Sequence, residues 1–491
     1  MTAQAAVVIA SNRGPVSFVR NEEGGFDIKR GAGGMAAALD PAARRMAHDA
    51  VWVCARTSAA DREAIAAGGH EDLEGQLGYD VRFVDIDEDT YSRYYNQVSN
   101  KVLWFANHCL WDELTLDEFG ERELDAFEEA YEPVNERFAA VVADIAAPHA
   151  LVLLQDYHLY TAPEHLRKKR DDLTILHFTH SSFCGPEGLD RAPRPVPRRI
   201  VEGMLGADLL GFHVRAWGEG FFECCERLGA TVDRTEWSVH HEGRRTWVRP
   251  YPIPVDPGDL RKQAKGQKAQ RWARRFRDSS EGPLIVRSDR IEPAKNIVRG
   301  FEAFGRLLDK REDLDGEALF VACLYPSRQG LKEYRSYLEQ VRLAAQKVNE
   351  KHPDSIELFL RDDFDRALGA YLVYDVLLVN SIMDGMNLVS KEGSALNQND
   401  GVLVLSSGAG SFDELKDDAV LIEDPRSVEE TVAALERAAD MSAEERADRA
   451  ARLKAKAAAR SPRDWIEDQL ADLDEVRAGR PPKTPAPPAD G

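Results

Sequence analysis

The chain alternates between short apolar runs and longer segments with the spacing of amphipathic helices. The apolar runs have strand length and lie at 6–10, 50–55, 150–155, 174–180, 283–288, 318–325, 356–360, 376–380, 402–406 and 419–423. Unbroken runs of this length are typical of strands that are buried on both faces, as in parallel sheets. Helical spacing is clearest at 128–147 and 331–351. The pattern therefore predicts an α/β fold.

The apolar runs form two series, separated by the proline-spaced stretch RPYPIPVDP at 249–257. A chain of 491 residues is also too long for one compact core. We predict two doubly wound, Rossmann-like domains, 1–255 and 256–460, which face each other across a cleft where ligands bind at the carboxyl ends of the strands. A helix at 461–477 is expected to return to the first domain. The Pro/Ala-rich end, 478–491, is expected to be disordered.

Acidic residues outnumber basic ones by 85 to 64, which gives a formal net charge of −21. This balance argues against a nucleic-acid-binding protein, because a polyanion is bound by a basic surface. The basic run at 261–277 is interpreted as a solvated helix face. No apolar segment reaches the roughly 18 residues that a membrane-spanning helix needs. The start of the chain, MTAQAAVVIASNRG, lacks the basic region of a signal peptide.

The cysteines are scattered along the chain, without CxxC pairs or clustered histidines. They are Cys54, Cys109, Cys184, Cys224, Cys225 and Cys323. This distribution favours reduced thiols over a disulfide framework or a zinc site. Together with the other features, it predicts a cytoplasmic protein that binds neither membranes nor nucleic acids.

In the second series, the stretch DGMNLVSKE at 384–392 directly follows an apolar run. An acid at a strand end, a glycine beside it and free N–H groups at the next helix start can bind a phosphorylated ligand. An ordinary strand–turn–helix connection is the alternative, and the stretch alone does not decide. Other strand ends carry Arg290, Lys295 and Arg328. Arg290 and Lys295 can hold a diphosphate from two sides, although without further context ordinary surface positions are the favoured interpretation of this pair.

In the first series, Arg13 follows the first apolar run, and Gly33 and Gly34 precede a helix. A glycine pair in this position allows the backbone to approach a phosphate closely. Asp156 and His180 also lie at strand ends. Each of them, taken singly, fits a structural residue as well as a functional one.

These stretches carry a joint resemblance to a known family. SNRGPV, the Gly-Gly loop, YYNQVSNKVLW, QDYHL, the Arg290–Lys295 spacing, YPSR and DGMNLVSKE occur in this order over residues 11–392. In this combination the chain resembles the trehalose-6-phosphate synthases, which are retaining GT-B glycosyltransferases. The resemblance implies that glucose is transferred from a nucleotide-glucose, UDP- or GDP-glucose, to glucose 6-phosphate, which forms α,α-trehalose 6-phosphate.

The resemblance also implies a role for each matched residue. Arg290 and Lys295 would hold the donor diphosphate, Glu392 the ribose, and Asp384 and His180 the donor glucose. The implied donor-binding residues are Gly33, Gly34, Arg290, Lys295, Asp384, Gly385, Met386, Asn387, Leu388, Val389 and Glu392. The implied acceptor-binding residues are Arg13, Tyr95, Trp104, Asp156 and Arg328. Catalysis is assigned by the same match to Arg290, Lys295, His180, Asp156 and Asp384.

No cofactor and no metal ion are expected. Asp85 and Asp87 form a DxD, the pair that holds Mn²⁺ in metal-dependent glycosyltransferases, but they precede a tyrosine-rich segment and are interpreted as a solvated turn. Arg290 and Lys295 would supply the electrostatic stabilisation of the leaving diphosphate that a metal otherwise provides. The implied route is front-face attack, because the motifs offer no carboxylate nucleophile for a double displacement.

Several positions differ from the commonest family pattern. Gln155 stands in place of a histidine, Phe105 in place of a proline, and Pro293 and Asn296 flank Lys295 in place of Tyr and Gly. The segment Ser-Ser-Phe-Cys at 181–184 lacks two prolines, which predicts a mobile loop in the empty enzyme. These changes leave two alternatives to the leading hypothesis: a glycosyl or pseudo-glycosyl transferase with another acceptor, such as glycerol 3-phosphate, and a non-catalytic sugar-phosphate sensor. A homo-oligomer is possible, and a separate phosphatase is expected to complete the pathway.

Overall fold

The computed structural model describes residues 4–31, 34–46, 49–69, 73–113, 119–279 and 281–485. The chain divides into two compact units. The first unit comprises residues 1–111, 117–253 and 462–491, and the second comprises 112–116 and 254–461. The main division thus lies two residues before the predicted boundary, and a short segment within the predicted first domain belongs to the second unit. No helix among the described residues is long and apolar enough to span a membrane.

The first unit contains strands β1–β11. They are β1 Ala5–Ser11, β2 Val16–Arg20, β3 Phe26–Arg30, β4 Ala50–Ala55, β5 Asp80–Val84, β6 Ala146–Gln155, β7 Thr174–Phe178, β8 Leu209–Phe212, β9 Thr231–Asp233, β10 Ser238–His241 and β11 Arg244–Pro250. Within the described residues, nine of them form one sheet in the order β5-β4-β1-β6-β7-β8-β11-β10-β9. The strands from β5 to β11 in this order pair in parallel, and β9 and β10 are antiparallel additions at the edge. Strands β2 and β3 form a separate antiparallel hairpin.

The helices that surround this sheet are α1 Gly34–Met46, α2 Ala59–Ala66, α3 Leu73–Leu77, α4 Glu88–Ser92, α5 Trp104–Asn107, α6 Glu121–Ala126, α7 Glu132–Ile145, α8 Ala162–Lys169, α9 Pro186–Leu189, α10 Val196–Met204 and α11 Arg215–Leu228. Two π-helical segments, Arg93–Leu103 and Phe127–Tyr131, join α4 to α5 and α6 to α7. A π-helix of this length is rare, and such segments are frequent at functional sites.

The second unit contains a parallel sheet. Its strands are β12 Leu284–Ile291, β13 Leu319–Pro326, β14 Ile356–Leu360, β15 Val376–Val379, β16 Val402–Ser406 and β17 Val420–Ile422. In the described part of the unit the six strands follow the order β14-β13-β12-β15-β16-β17. Its helices are α12 Pro257–Ala264, α13 Gln267–Arg277, α14 Ile297–Lys310, α15 Lys332–Lys351, α16 Phe364–Val373, α17 Leu388–Leu396, α18 Phe412–Leu415, α19 Val428–Ala439 and α20 Ala443–Ala457.

Strand β12 shows why the apolar runs of this unit are unbroken. Ile285 packs into the core cluster on one face of the sheet, with residues of α14, α15 and α19. Its neighbours Leu284 and Val286 pack into the cluster on the other face, with residues of α12, α13 and α16. Because successive side chains of a strand point to opposite faces, burial of both faces requires apolar residues at consecutive positions. The unit is therefore doubly wound, as the pattern predicts.

The last helix, α21 Pro462–Arg477, belongs to the first unit. Trp465 is almost fully buried, and its indole N–H donates to the carbonyl oxygen of Tyr251 at 3.0 Å. The hydroxyl of Tyr251 donates to Asp472 at 2.7 Å. These contacts attach the helix to the end of β11, although more than 200 residues separate the partners.

The expectation of a disordered end from residue 478 is wrong for residues 478–485. Arg249 donates to the carbonyl oxygen of Thr484 at 2.8 Å, and the N–H of Thr484 donates to Asp472 at 2.9 Å. Composition alone did not reveal these polar partners, which hold the segment against the first unit. Residues 486–491 lie outside the described residues.

The expectation that all cysteines are reduced is also wrong for one pair. Cys109 and Cys184 form a disulfide, with their Cα atoms 6.0 Å apart. The bond links the turn after α5 to the segment between β7 and α9. The two residues are 75 positions apart, and the tertiary fold brings them together. The remaining cysteines are free and buried; they are Cys54, Cys224, Cys225 and Cys323.

Candidate active site

In the second unit, the chain leaves β15 and makes a tight turn at Asp384. The backbone N–H of Asp384 donates to the carbonyl oxygen of Gly408 at 2.9 Å, and the N–H of Gly410 donates back to Asp384 at 3.2 Å. A Cβ atom at Gly410 would lie 2.1 Å from the carbonyl oxygen of Gly385, so only glycine allows the two loops to approach this closely. Backbone contacts on both sides therefore fix the position of the Asp384 carboxylate.

The ammonium group of Lys295 lies 2.5 Å from a carboxylate oxygen of Asp384. Both side chains are mostly buried, and Asn387 donates to the same oxygen at 3.0 Å. Burial would lower the pKa of Lys295, but the charges of Asp384 and Asp289 outweigh this effect and raise it. Lys295 is therefore a permanent cation with a fixed position. Asp384, the acid of the turn at 384–392, has this cation as its partner.

A cluster that the sequence analysis missed centres on Glu292. One of its carboxylate oxygens lies 3.4 Å from Arg290, 3.1 Å from Arg328 and 3.0 Å from the hydroxyl of Ser327. Burial would raise the pKa of Glu292, but the charges of Arg290 and Arg328 outweigh it and lower the pKa to about 2. Arg290 keeps 48% of its side chain exposed, so its guanidinium is accessible to a ligand.

Glu292 had a detectable signal in the sequence. It stands two positions after Arg290 at the end of an apolar run, and residues two apart in an extended segment point to the same side. Arg287, which was also missed, is fully buried in β12 and pairs with Asp289 at 2.8 Å. It also donates to the carbonyl oxygen of Lys295 at 2.8 Å, so it supports the backbone that carries the ammonium group.

The other predicted donor residues follow the turn. Asn387 caps helix α17 by accepting the N–H of Ser390 at 3.1 Å, and the first N–H groups of the helix, at Leu388 and Val389, have no partner within a helix. Met386 is buried. Burial raises the pKa of Glu392 to about 7, and a hydrogen bond with Tyr371 opposes this rise.

In the first unit, Asp156 follows β6 with a left-handed backbone, φ 73°. One of its carboxylate oxygens accepts the backbone N–H of His180 at 3.1 Å, and the other lies 3.7 Å from a ring nitrogen of His158. Burial would raise the pKa of Asp156, but His158 and His180 outweigh it and lower the pKa strongly. The predicted pair Asp156 and His180 is therefore brought together at the ends of neighbouring strands.

Arg13 and Tyr95 are also brought together, because a guanidinium nitrogen of Arg13 lies 2.9 Å from the Tyr95 hydroxyl. Tyr95 lies in the long π-helix and stacks on the ring of His158, with the ring centres 5.6 Å apart. His158 thus connects Arg13 and Tyr95 to Asp156. The sequence analysis did not select this histidine, although it stands only two positions after Asp156.

Trp104 and the glycine pair are the remaining predicted residues of this unit. Trp104 is the first residue of α5, is 2% exposed, and stacks on His108 at 4.3 Å between ring centres. Gly34 begins helix α1, and Gly33 lies outside the described residues.

The segment 181–184 was predicted to be mobile, and the structure argues against this. Ser181 is buried, and the side-chain amide of Asn107 donates to its hydroxyl at 2.9 Å. The N–H of Cys184 donates to the carbonyl oxygen of Asn107 at 3.1 Å, and the disulfide to Cys109 adds a covalent attachment. Hydrogen bonds to α5 and the cross-link thus restrain the segment without the two prolines.

Asp85 and Asp87 have structural partners, as the interpretation of a solvated turn expects. Asp85 is 77% exposed and pairs with Arg56 at 3.0 Å. Asp87 caps helix α4 by accepting the N–H of Thr90 at 2.9 Å. Among the described residues, one group has the spacing of metal ligands, namely Cys109, Cys184 and Glu187, and its two sulfurs are bonded to each other.

Comparison with known proteins agrees with these arrangements. Residues 5–475 match the sequence profile of Glycosyltransferase family 20. The chain is 30% identical over 491 residues to a trehalose-6-phosphate synthase of Mycobacterium sp. (strain KMS), with 97% of this chain and 96% of the relative covered. It is 30% identical over 451 residues to alpha,alpha-trehalose-phosphate synthase (UDP-forming) A of Dictyostelium discoideum, with 90% of this chain but only 59% of that protein covered.

A solved structure from E. coli, described as trehalose-6-phosphate bound with UDP-2-fluoro glucose, superposes with a TM-score of 0.80 at 27% identity, covering 96% of this chain and 99% of that chain. The likeness extends over both Rossmann-like units, each of which matches the predicted α/β architecture. The profile match over nearly the whole chain and the full-length relatives show that this chain is an enzyme of glycosyltransferase family 20 and belongs to the trehalose-6-phosphate synthases.

Proposed function

We propose that the enzyme transfers glucose, with retention of configuration, from a nucleotide-glucose to glucose 6-phosphate and so forms α,α-trehalose 6-phosphate. The observation that carries the proposal is that the guanidinium groups of Arg290 and Arg328 share the single carboxylate of Glu292. Two cations on one anion leave a net positive charge, and the exposed part of Arg290 makes that charge available to a ligand. A phosphorylated ligand fits this charge better than a neutral sugar does. Arg290 is proposed to bind the donor diphosphate, and Arg328 the phosphate of the acceptor.

A uridine nucleotide is the favoured donor. The Dictyostelium relative is named as UDP-forming, and the E. coli structure is described as bound with UDP-2-fluoro glucose. Glu392 is the residue proposed to hold the ribose of this donor. Because burial raises the pKa of Glu392 to about 7, its carboxyl group occurs in both protonation states near neutral pH. It can therefore accept a hydrogen bond from a ribose hydroxyl when ionised and donate one when protonated.

On the donor side, Lys295 and Arg290 stabilise the negative charge that develops on the leaving diphosphate. Because Asp384 fixes the ammonium group of Lys295 before the reaction, no reorganisation is needed at the transition state. The sugar–phosphate bond breaks, the acceptor hydroxyl attacks from the same face, and its proton passes to the departing phosphate oxygen. This route uses no metal ion and no cofactor, since fixed cations of the chain supply the stabilisation.

On the acceptor side, Arg13 and the hydroxyl of Tyr95 are proposed to bind the phosphate of glucose 6-phosphate. They already contact each other, and a charged donor beside a neutral one suits a phosphate oxygen. Asp156, whose lowered pKa keeps it ionised, accepts hydrogen bonds from the hydroxyls of the sugar. Both substrates carry charged phosphates that do not cross a membrane unaided, so we place the enzyme in the cytoplasm. A separate phosphatase would then remove the phosphate of its product.

The test combines UDP-glucose and GDP-glucose with glucose 6-phosphate, glycerol 3-phosphate and free glucose. Nucleotide release is recorded together with the mass of the product and the anomeric couplings in its proton NMR spectrum. UDP release with a disaccharide phosphate whose two anomeric protons are both α is the expected result. A product with glycerol 3-phosphate only would assign another acceptor, and binding without release of nucleotide would indicate a sensor. The Lys295→Ala variant is the control, because it shows how much nucleotide is released without enzymatic transfer.

A further inference from the structure

We propose that Gln155 is a positioning residue, whose side-chain amide determines which ring nitrogen of His180 carries the proton and therefore which ring atom His180 offers to a sugar hydroxyl. The inference deepens the proposed function and rests on it, because there His180 contacts the donor glucose. Gln155 is also one of the positions at which the sequence differs from the commonest pattern of the resembling family.

Gln155 is the last residue of β6 and is fully buried. It pairs with Ser11 of β1 on one side and with Phe178 of β7 on the other, so its backbone lies in the middle of the sheet. Its side-chain oxygen lies 2.9 Å from the Nε2 atom of His180. Its amide nitrogen has no hydrogen-bond partner among the residues that the structure describes. The contact with His180 is thus the hydrogen bond that this buried amide makes.

Contacts on several sides fix the position of the His180 ring. Its backbone N–H is held by Asp156 at 3.1 Å. Three aromatic rings surround the imidazole, with centre-to-centre distances of 4.7 Å to Phe178, 5.4 Å to His213 and 6.0 Å to Trp465. The ring is therefore fixed in position, and what is left to decide is the place of its proton.

Burial lowers the pKa of His180 to about 4, and the nearby charge of Asp156 opposes this only in part. At neutral pH the ring is therefore uncharged and carries one proton, on Nδ1 or on Nε2. Because the oxygen of Gln155 can only accept, it favours the proton on Nε2. Nδ1 then has a free lone pair and accepts a hydrogen bond from the sugar instead of donating one.

The consequence is an acceptor in each of the two sugar sites of the proposed function. On the acceptor side, the carboxylate of Asp156 accepts hydrogen bonds from the sugar; on the donor side, Nδ1 of His180 accepts one from the glucose. In both sites a sugar hydroxyl is the donor. If the proton moved to Nδ1, the same position would offer a donor, and a bound hydroxyl would have to reverse its own hydrogen bond.

The experiment uses the full-length enzyme with its histidine rings labelled with ¹⁵N. Proton-coupled ¹⁵N NMR distinguishes a ring nitrogen that carries hydrogen from one that does not, and the His180→Asn variant assigns the resonance. In the wild type, the expected signature is a protonated Nε2 and an unprotonated Nδ1. A wild-type ring with its proton on Nδ1 would overturn the proposal directly.

Two substitutions test the dependence on the amide. Gln155→Met keeps the approximate size and removes the acceptor, so His180 should lose its single tautomer, and kcat/KM for the donor should fall about tenfold while the acceptor KM stays within twofold. Gln155→Glu keeps an accepting oxygen, so at pH 8.5 it should retain the proton on Nε2 and stay within about threefold of the wild-type donor kcat/KM. Unchanged His180 resonances and kinetics in Gln155→Met would refute the proposal.

The matched control is Gln469→Met. Gln469 is another fully buried glutamine of the first unit, and its amide nitrogen donates to the carbonyl oxygen of Trp465 at 3.0 Å. This variant should lower the melting temperature as Gln155→Met does, and leave the His180 resonances unchanged. The two failures can be told apart: absence of any disaccharide product in the wild type contradicts the proposed function, whereas a normal product with a tautomer independent of Gln155 contradicts this inference alone.

Discussion

Replacing Glu292 by glutamine should destabilise the second unit by about 3 kcal/mol. Folding lowers the pKa of Glu292 from 4.5 to about 2. At about 1.4 kcal/mol per pH unit, this difference corresponds to roughly 3 kcal/mol of favourable interaction between the ionised carboxylate and its surroundings. The value agrees with the roughly 3–5 kcal/mol that removing one partner of a buried ion pair costs. Glutamine keeps the shape and removes the charge, so Arg290 and Arg328 would then repel each other.

The assay is hydrogen exchange over β12 and β13, which report on the unfolding of this unit, supported by urea denaturation of the full chain. The control is Glu302→Gln on α14, whose carboxylate pairs with Arg306 while both side chains are about half exposed. An exposed pair of this kind contributes at most about 1 kcal/mol. If Glu292→Gln costs no more stability than Glu302→Gln, the charge cluster does not hold this part of the fold together.

The pH dependence gives an independent check. Because the folded pKa of Glu292 lies below the unfolded one, its contribution is complete above about pH 4.5 and is lost as the pH falls towards 2. The difference in stability between wild type and Glu292→Gln should therefore stay constant between pH 7 and pH 5. A difference that already shrinks in this range would mean that the carboxyl group is not held ionised by its neighbours.

Four further predictions concern the reaction and the cross-link. Lys295→Ala should lower kcat by about 10² or more, because it removes a fixed cation from the leaving group; Lys310→Ala, an exposed lysine on α14, is the control, and a loss under threefold would exclude Lys295 from the mechanism. Activity should persist in excess EDTA, and a complete loss that Mn²⁺ restores would contradict a metal-free route. Arg13→Ala should raise the acceptor KM at least about tenfold with the donor KM unchanged, as expected for a charged hydrogen bond. An equal effect on both substrates would argue against Arg13 binding the phosphate of the acceptor. Thiol titration of the denatured protein should reveal two more thiols after reduction, from Cys109 and Cys184, and reduction should lower the stability of the folded enzyme by about 2–4 kcal/mol; six thiols before reduction would exclude the disulfide.

The pattern of apolar runs determined the α/β class and the parallel sheets, because burial on both faces of a strand imposes a constraint on consecutive residues. The same reading missed the antiparallel edge strands β9 and β10 and the β2–β3 hairpin, which are short and carry polar residues. Motif order also led to residues that the structure brings together, such as Lys295 with Asp384 and Arg13 with Tyr95. Arg13, Lys295 and Asp384 follow strand ends, where a local pattern marks their positions, whereas Tyr95 lies in the π-helix Arg93–Leu103.

The partners of those residues were decided by the tertiary structure. Glu292 gathers Arg290 and Arg328 from the ends of two different strands, and Cys184 finds Cys109 across 75 positions. Gln155 meets His180 only because β6 and β7 lie side by side. A periodic pattern along the chain records which side of its own element a residue faces. It does not record which side chain from another element will lie opposite, because that depends on how the elements pack.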